Sequence, residues 1–297
     1  MSPVAALLAL ALAIPDLPYV RSKADSSDPN SHCLWWPVGT ITYQQVTRGN
    51  PETLPAGSEF TAVHKSFDTW QAVMNSCGDL TLVEGPRIAD RTIGHNPGST
   101  DNHNTVVFRQ AYCAGGVVPP SDSCWTDETC MNVYDCWEWG RGTIALTTTT
   151  YERASGRVYD SDIELNAYYN IFTTNDAAPC SPPDFSQTCS ATDVQNTVTH
   201  EAGHVLGMDH TARAGSTMNT SAVVGEMSKR VVDPGSASFV CEVYPKGRQS
   251  RDCVINPVPN PLGPVVAGSC GAAGGGLTLS ALAGLVGLGR RRRKLAL

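Results

Sequence analysis

The sequence predicts an α+β fold on three observations. Two well-separated stretches, 60–73 and 192–208, read as helices. Short β-rich runs lie before, between and after the first of them. The composition, 41% hydrophobic and 16% charged, is that of a chain able to bury a core. Once the end segments are set aside, roughly 200–250 residues remain, enough for one substantial core or one core with a small appendage.

The chain opens on an apolar run from Val4 to Ile14 with a small-residue site at Ala13. That run fits the core of a signal peptide and is too short to span a bilayer, so residues 1–13 (to about 20) read as a secretion signal. The polar stretch SKADSSDPNS, within 22–32, reads as a flexible leader. A first strand is expected from Trp36 to Tyr43. Phe60, Val63, His64, Phe67, Trp70 and Val73 recur at three- and four-residue spacing and mark an amphipathic helix, with Gly78 placed to end it. Leu80–Val83 and Thr105–Phe108 follow as short strands.

Residues 109–142 form a loop-rich insertion with four cysteines (113, 124, 130, 136) and three tryptophans (125, 137, 139). It is either a disulfide-stapled surface loop or a rim of a binding cleft. Thr143–Thr147 and Arg157–Leu165 read as partner strands around a Ser-Gly turn. Thr192–Met208 reads as a long helix with Asp193 in its first turn. Residues 245–269, rich in Pro and Gly, read as a semi-extended linker.

Eleven cysteines are too many for a reducing compartment. Ten precede the tail and can form five disulfides; proximity suggests Cys180 with Cys189 and Cys241 with Cys253. The eleventh, Cys270, opens the tail 270–297, an uncharged Gly-rich apolar stretch followed by Arg290–Arg293 and Lys294. Apolar residues followed by cations form a membrane-insertion signal, here expected to associate only transiently. Without those five cations the body carries 16 basic residues against 28 acidic, an acidity that argues against a nucleic-acid partner. The chain is expected to be a monomer.

The chemical signal is His200-Glu201-Ala-Gly-His204-Val-Leu-Gly207-Met-Asp-His210. Residues four apart share a helix face, so His200 and His204 can offer two imidazoles to one ion, as Zn2+ prefers. Glu201 lies beside them and can hold a water without itself being a ligand. Gly207 lets the chain leave the helix sharply and return with His210 as a third ligand. Three protein ligands leave the fourth position to water, the arrangement of a catalytic zinc.

These residues resemble the metzincin metallopeptidase signature HExxHxxGxxH, and Met218, eight residues after His210, resembles the methionine turn at the spacing of the matrixin branch. The similarity spans roughly 33–244 and is tight from 200 to 218. It implies a twisted mixed sheet, an active-site helix and a smaller C-terminal subdomain. It also implies zinc-dependent hydrolysis of proteins or peptides with Glu201 as the general base. Met218 would form a packed floor under the metal, and the Ile144-Ala145-Leu146 strand would pair with extended substrate.

Departures are visible. Thr211 stands where matrixins usually have serine, Thr220 where some metzincins have tyrosine, and Val158 where matrixins place a structural-zinc histidine. His95 and His103 read as loop histidines. Asp160, Asp162 and Glu164 form either a solvated acidic face or a Ca2+ site. The tail resembles the MYXO-CTERM sorting signal of myxobacteria, which implies processing at Cys270 and display on the surface of a Gram-negative cell. The competing functional reading is an inactive, zinc-stabilised surface adhesion protein; Glu201, which such a module has no use for, speaks against it.

Overall fold

The computed structural model describes residues 18–254 and 290–296. The expected signal peptide, the linker from 255 onward and Cys270 lie outside the described residues.

A short strand, β1 (Val20–Arg21), precedes β2 (Gly39–Gln45), the long helix α1 (Ser58–Cys77), β3 (Leu80–Glu84) and β4 (Asn104–Arg109). The insertion carries two single-turn helices, α2 (Cys124–Asp127) and α3 (Cys130–Tyr134). Then come β5 (Ala145–Glu152), β6 (Val158–Asn166), β7 (Phe172–Thr173), β8 (Thr192–Asp193) and helix α4 (Val194–Val205). The turn beyond holds β9 (Met208–Asp209); α5 (Pro234–Val243) closes the domain, and β10 (Arg290–Ala296) lies near the chain's end.

Five strands form a mixed sheet in the order β3-β2-β4-β6-β5. β2 runs parallel to both β3 and β4, and β4 parallel to β6; β5 turns back antiparallel on β6. Parallel neighbours need a crossover, and α1 supplies it between β2 and β3. The outer edge of β5 is taken by the backbone of β10, antiparallel, with Leu295 opposite Thr147 and Ala296 opposite Leu146.

The core lies between the sheet and the helices. Val63, Phe67, Trp70 and Met74, spaced three and four apart on α1, are all buried. So are Val194, Val198, Ala202 and Val205 on α4. The Trp70 indole donates to the Thr199 carbonyl at 2.8 Å and the Trp36 indole to the Val205 carbonyl at 2.7 Å. Two large apolar rings are thereby buried with their only polar atoms satisfied.

Three expectations are corrected. The stretch 22–32 is not a flexible leader but part of the domain. Ser22 and Ala24 are buried, the Ser22 amide donates to the Gly207 carbonyl, and Lys23 bridges to Cys33. Its polar side chains predict solvent, but its backbone bonds fix it. The far boundary moves likewise, because Cys253 is bonded to Cys33 and Cys241 to Cys77, not to each other. The expected Cys180–Cys189 pair is present, and the insertion is closed by Cys113–Cys136 and Cys124–Cys130.

Third, Asp160, Asp162 and Glu164 are not a solvated face; all three are buried. The two Asp162 oxygens accept the Thr105 and Gly94 amides at 2.8 and 2.6 Å, and Glu164 pairs with the buried Arg109 at 2.8 Å. Arg109 in turn reaches Asp135, which also takes Arg48 and Arg91, so this ion-pair network ties the insertion to the sheet.

Candidate metal and catalytic site

Helix α4 begins at Asp193, whose carboxylate accepts the Asn196 amide at 2.7 Å and also pairs with Arg230. A side chain accepting an otherwise orphaned amide is what starts a helix firmly. From that start His200 and His204 project one turn apart, both fully buried. The helix ends at Gly207, which takes φ +95°, where a Cβ would lie 2.7 Å from the Leu34 carbonyl oxygen. Only glycine meets both conditions. The turn then passes through β9, which β1 pins by pairing Val20 with Asp209, and delivers His210.

The three Nε2 atoms form a nearly equilateral triangle: 3.2 Å from His200 to His204, 3.2 Å from His200 to His210, and 3.1 Å from His204 to His210. The remaining nitrogen of two rings is already committed. Nδ1 of His200 donates to the Thr217 carbonyl at 2.7 Å, and Nδ1 of His204 donates to the Met208 carbonyl at 2.9 Å. Those bonds fix the tautomers, so both Nε2 atoms present lone pairs to the centre of the triangle. Lone pairs this close repel unless a cation lies among them, and the edges suit zinc–nitrogen bonds of about 2.0–2.1 Å. Burial, then the positive charge of the neighbouring histidines, holds the His200 imidazole well below its usual value, in the neutral form a metal needs.

Glu201 lies beside the triangle, fully buried. Burial pushes its carboxyl up to about 8, against the opposing pull of the Thr147 hydroxyl and the Lys229 charge. Thr147, on β5, donates to Oε2 at 2.6 Å. Among the described residues, Oε1 has no hydrogen-bond partner. Met218 packs beneath the helix; a Cβ on Gly203 would lie 2.3 Å from its sulfur. The Met218 carbonyl accepts the Thr211 amide at 3.0 Å, which closes the loop carrying His210.

The structure thus brings His200, Glu201, His204, His210 and Met218 together. Ala145 and Leu146 begin β5, with Ile144 just before it, and Leu146 pairs with Ala296 of β10 on its outer edge. Among the described residues two groups could hold a metal: these histidines, and Cys33 with Asp252 and Cys253, whose cysteines form a disulfide. His95 and His103 belong to neither.

The matrixin family model matches residues 35–234. The chain belongs to the matrixin family. That family is one of zinc-dependent metallopeptidases acting on proteins or peptides, so this matrixin is assigned to the hydrolases with a catalytic zinc. The mixed sheet and helices described above are consistent with a matrixin catalytic domain. A search of curated proteins found none that matches the chain.

Two site residues of this matrixin escape sequence reading. Thr147 is 54 positions from Glu201 and meets it only through the sheet register. Lys229 is buried, with Nζ donating to the Ser221 carbonyl at 2.5 Å and lying 3.5 Å from Glu226. An interior lysine in a short 3-10 turn carries no local sequence mark; only its proximity to α4, where its amide donates to Asn196, reveals it.

Proposed function

We propose that the protein is a secreted or surface-displayed endopeptidase in which His200, His204 and His210 hold zinc and Glu201 is the general base. The observation that carries this reading is the triangle of Nε2 atoms with two Nδ1 groups already committed to carbonyls. Zinc bound there would supply an activated water and a polarised scissile carbonyl. Glu201 Oε1, which has no hydrogen-bond partner among the described residues, takes the proton of the attacking water and returns it to the leaving amine. A neighbouring divalent cation also favours the charged carboxylate, countering the upward pull of burial.

Substrate lies extended along the outer edge of β5, with backbone groups of Ile144, Ala145 and Leu146 pairing to it. The five disulfides support secretion into an oxidising compartment. Residues 290–297 belong to a tail that sorts the protein to the surface, with processing near Cys270.

The test is zinc analysis of the purified protein together with hydrolysis of casein, with and without a chelator. Zinc at one per chain, with turnover lost on chelation and restored by added zinc, is expected. Glu201→Ala should keep the zinc and lose turnover by at least a hundredfold. Chelator-insensitive proteolysis, or full turnover by that variant, would overturn the assignment.

A further inference from the structure

We infer that Thr147 is a positioning residue for the general base: its hydroxyl holds Glu201 by one carboxylate oxygen and so leaves the other for the proton transfer. The inference rests on the peptidase reading above, but the contact on which it stands does not.

Three observations converge. The hydroxyl of Thr147 is fully buried and lies 2.6 Å from Glu201 Oε2, with the Glu201 carbonyl oxygen farther away at 3.3 Å. A hydroxyl has one proton to give, and the shorter contact claims it. Oε1, on the same carboxylate and equally buried, has no partner among the described residues. The two oxygens are therefore inequivalent before any substrate arrives. Third, Thr147 sits on β5, where its backbone pairs inward with Ile163. A base held from a packed strand keeps its rotamer, whereas a carboxylate held only by its own helix can rotate about its terminal torsion, which is broad and roughly two-fold.

In the peptidase reading the same strand receives extended substrate on its outer edge from Ala145, two residues earlier, once β10 is displaced from it. One element thus registers both the backbone to be cut and the carboxylate that moves the proton, so their separation is set within a single rigid strand. Enzymatic rates depend on positioning of this kind to within an ångström.

Thr147→Val keeps the β-branched shape and removes the hydroxyl. With zinc-loaded full-length protein, it is expected to lower kcat ten- to a hundredfold while KM and zinc content stay within about twofold of wild type. Thr147→Ser restores the hydroxyl and should recover kcat to within about threefold. If Val is not accepted in the core, Thr147→Ala removes the same group with less steric demand. A crystal structure of the variant gives a readout independent of turnover: the Glu201 carboxylate should leave its wild-type position or split between rotamers. Unchanged kcat in both hydroxyl-free variants, or a carboxylate that stays in place without the hydroxyl, overturns the inference. Wild-type protein that binds zinc without cleaving protein, while the hydroxyl-free variant releases the carboxylate, would instead overturn the peptidase reading and leave the holding contact intact.

Discussion

At the scale of single residues, the histidine triad that could hold a metal was legible because it is compressed into eleven positions of one helix and the turn after it. Helical periodicity alone places His200 above His204, and only the exit at Gly207 had to be inferred. Gly203 was not legible. It occupies a variable position of the motif, yet a methyl there would lie 2.3 Å from the Met218 sulfur and 3.2 Å from the Trp70 ring. Gly203→Ala is therefore expected to destabilise the fold by about 1–3 kcal/mol through overpacking, despite alanine's better helix propensity. Chemical denaturation of the zinc-free protein measures it, and a variant as stable as wild type would show that Met218 moves aside without strain. Thr147 and Lys229 were hidden for a different reason: each reaches the site from a distant part of the chain, and no local pattern marks a residue by what it will face.

At the scale of elements, helices and central strands fell near their expected places, because burial imposes periodic spacing. α1 covers 58–77 against an expectation of 60–73, and α4 begins one residue after Asp193. The acidic strand misled because Asp160, Asp162 and Glu164 alternate on one face of β6, a pattern shared by a solvated face and a buried one. What decides between them is remote: Arg109 and the amides of residues 94 and 105. Burial, then the charge of Asp160, raises the Asp162 carboxyl well above its usual value. Above about pH 4 the unfolded chain has released this proton, whereas the folded chain keeps it up to the raised value. The native state thus binds more protons across that window, and this group's contribution to stability falls as pH rises through it. Asp160→Asn removes the adjacent charge and should flatten that fall and stabilise the protein at neutral pH. Denaturation midpoints from pH 4 to 8 for both proteins test it; parallel curves would refute it. The pairing of β10 on β5 was equally invisible, because it uses backbone groups that every sequence carries. An extended substrate on that edge must displace it. In the full-length chain, before any processing near Cys270 removes β10, Arg292→Pro with Lys294→Pro takes away two backbone donors of that strand, so turnover by the unprocessed double variant should rise above that of the unprocessed parent. Equal rates would show that the pairing does not compete.

At the scale of the whole molecule, the metal reading makes a thermodynamic demand. A ligand that binds only the folded chain stabilises it by about 4 kcal/mol when present at about a thousandfold its dissociation constant. Zinc should therefore raise Tm by several degrees in wild type and not in His204→Ala; equal shifts in both would place the ion elsewhere. The chain's outer limits were the least legible feature, since composition marks what a segment prefers to touch and not what it is tied to. Cys33 and Cys253 are joined across 220 positions, and that bond turns the polypeptide into a ring. Any single cut between those two cysteines opens the ring without releasing a piece. A molecule nicked once by its neighbours would thus run as an unbroken chain on a non-reducing gel, and divide in two only when thiol is added.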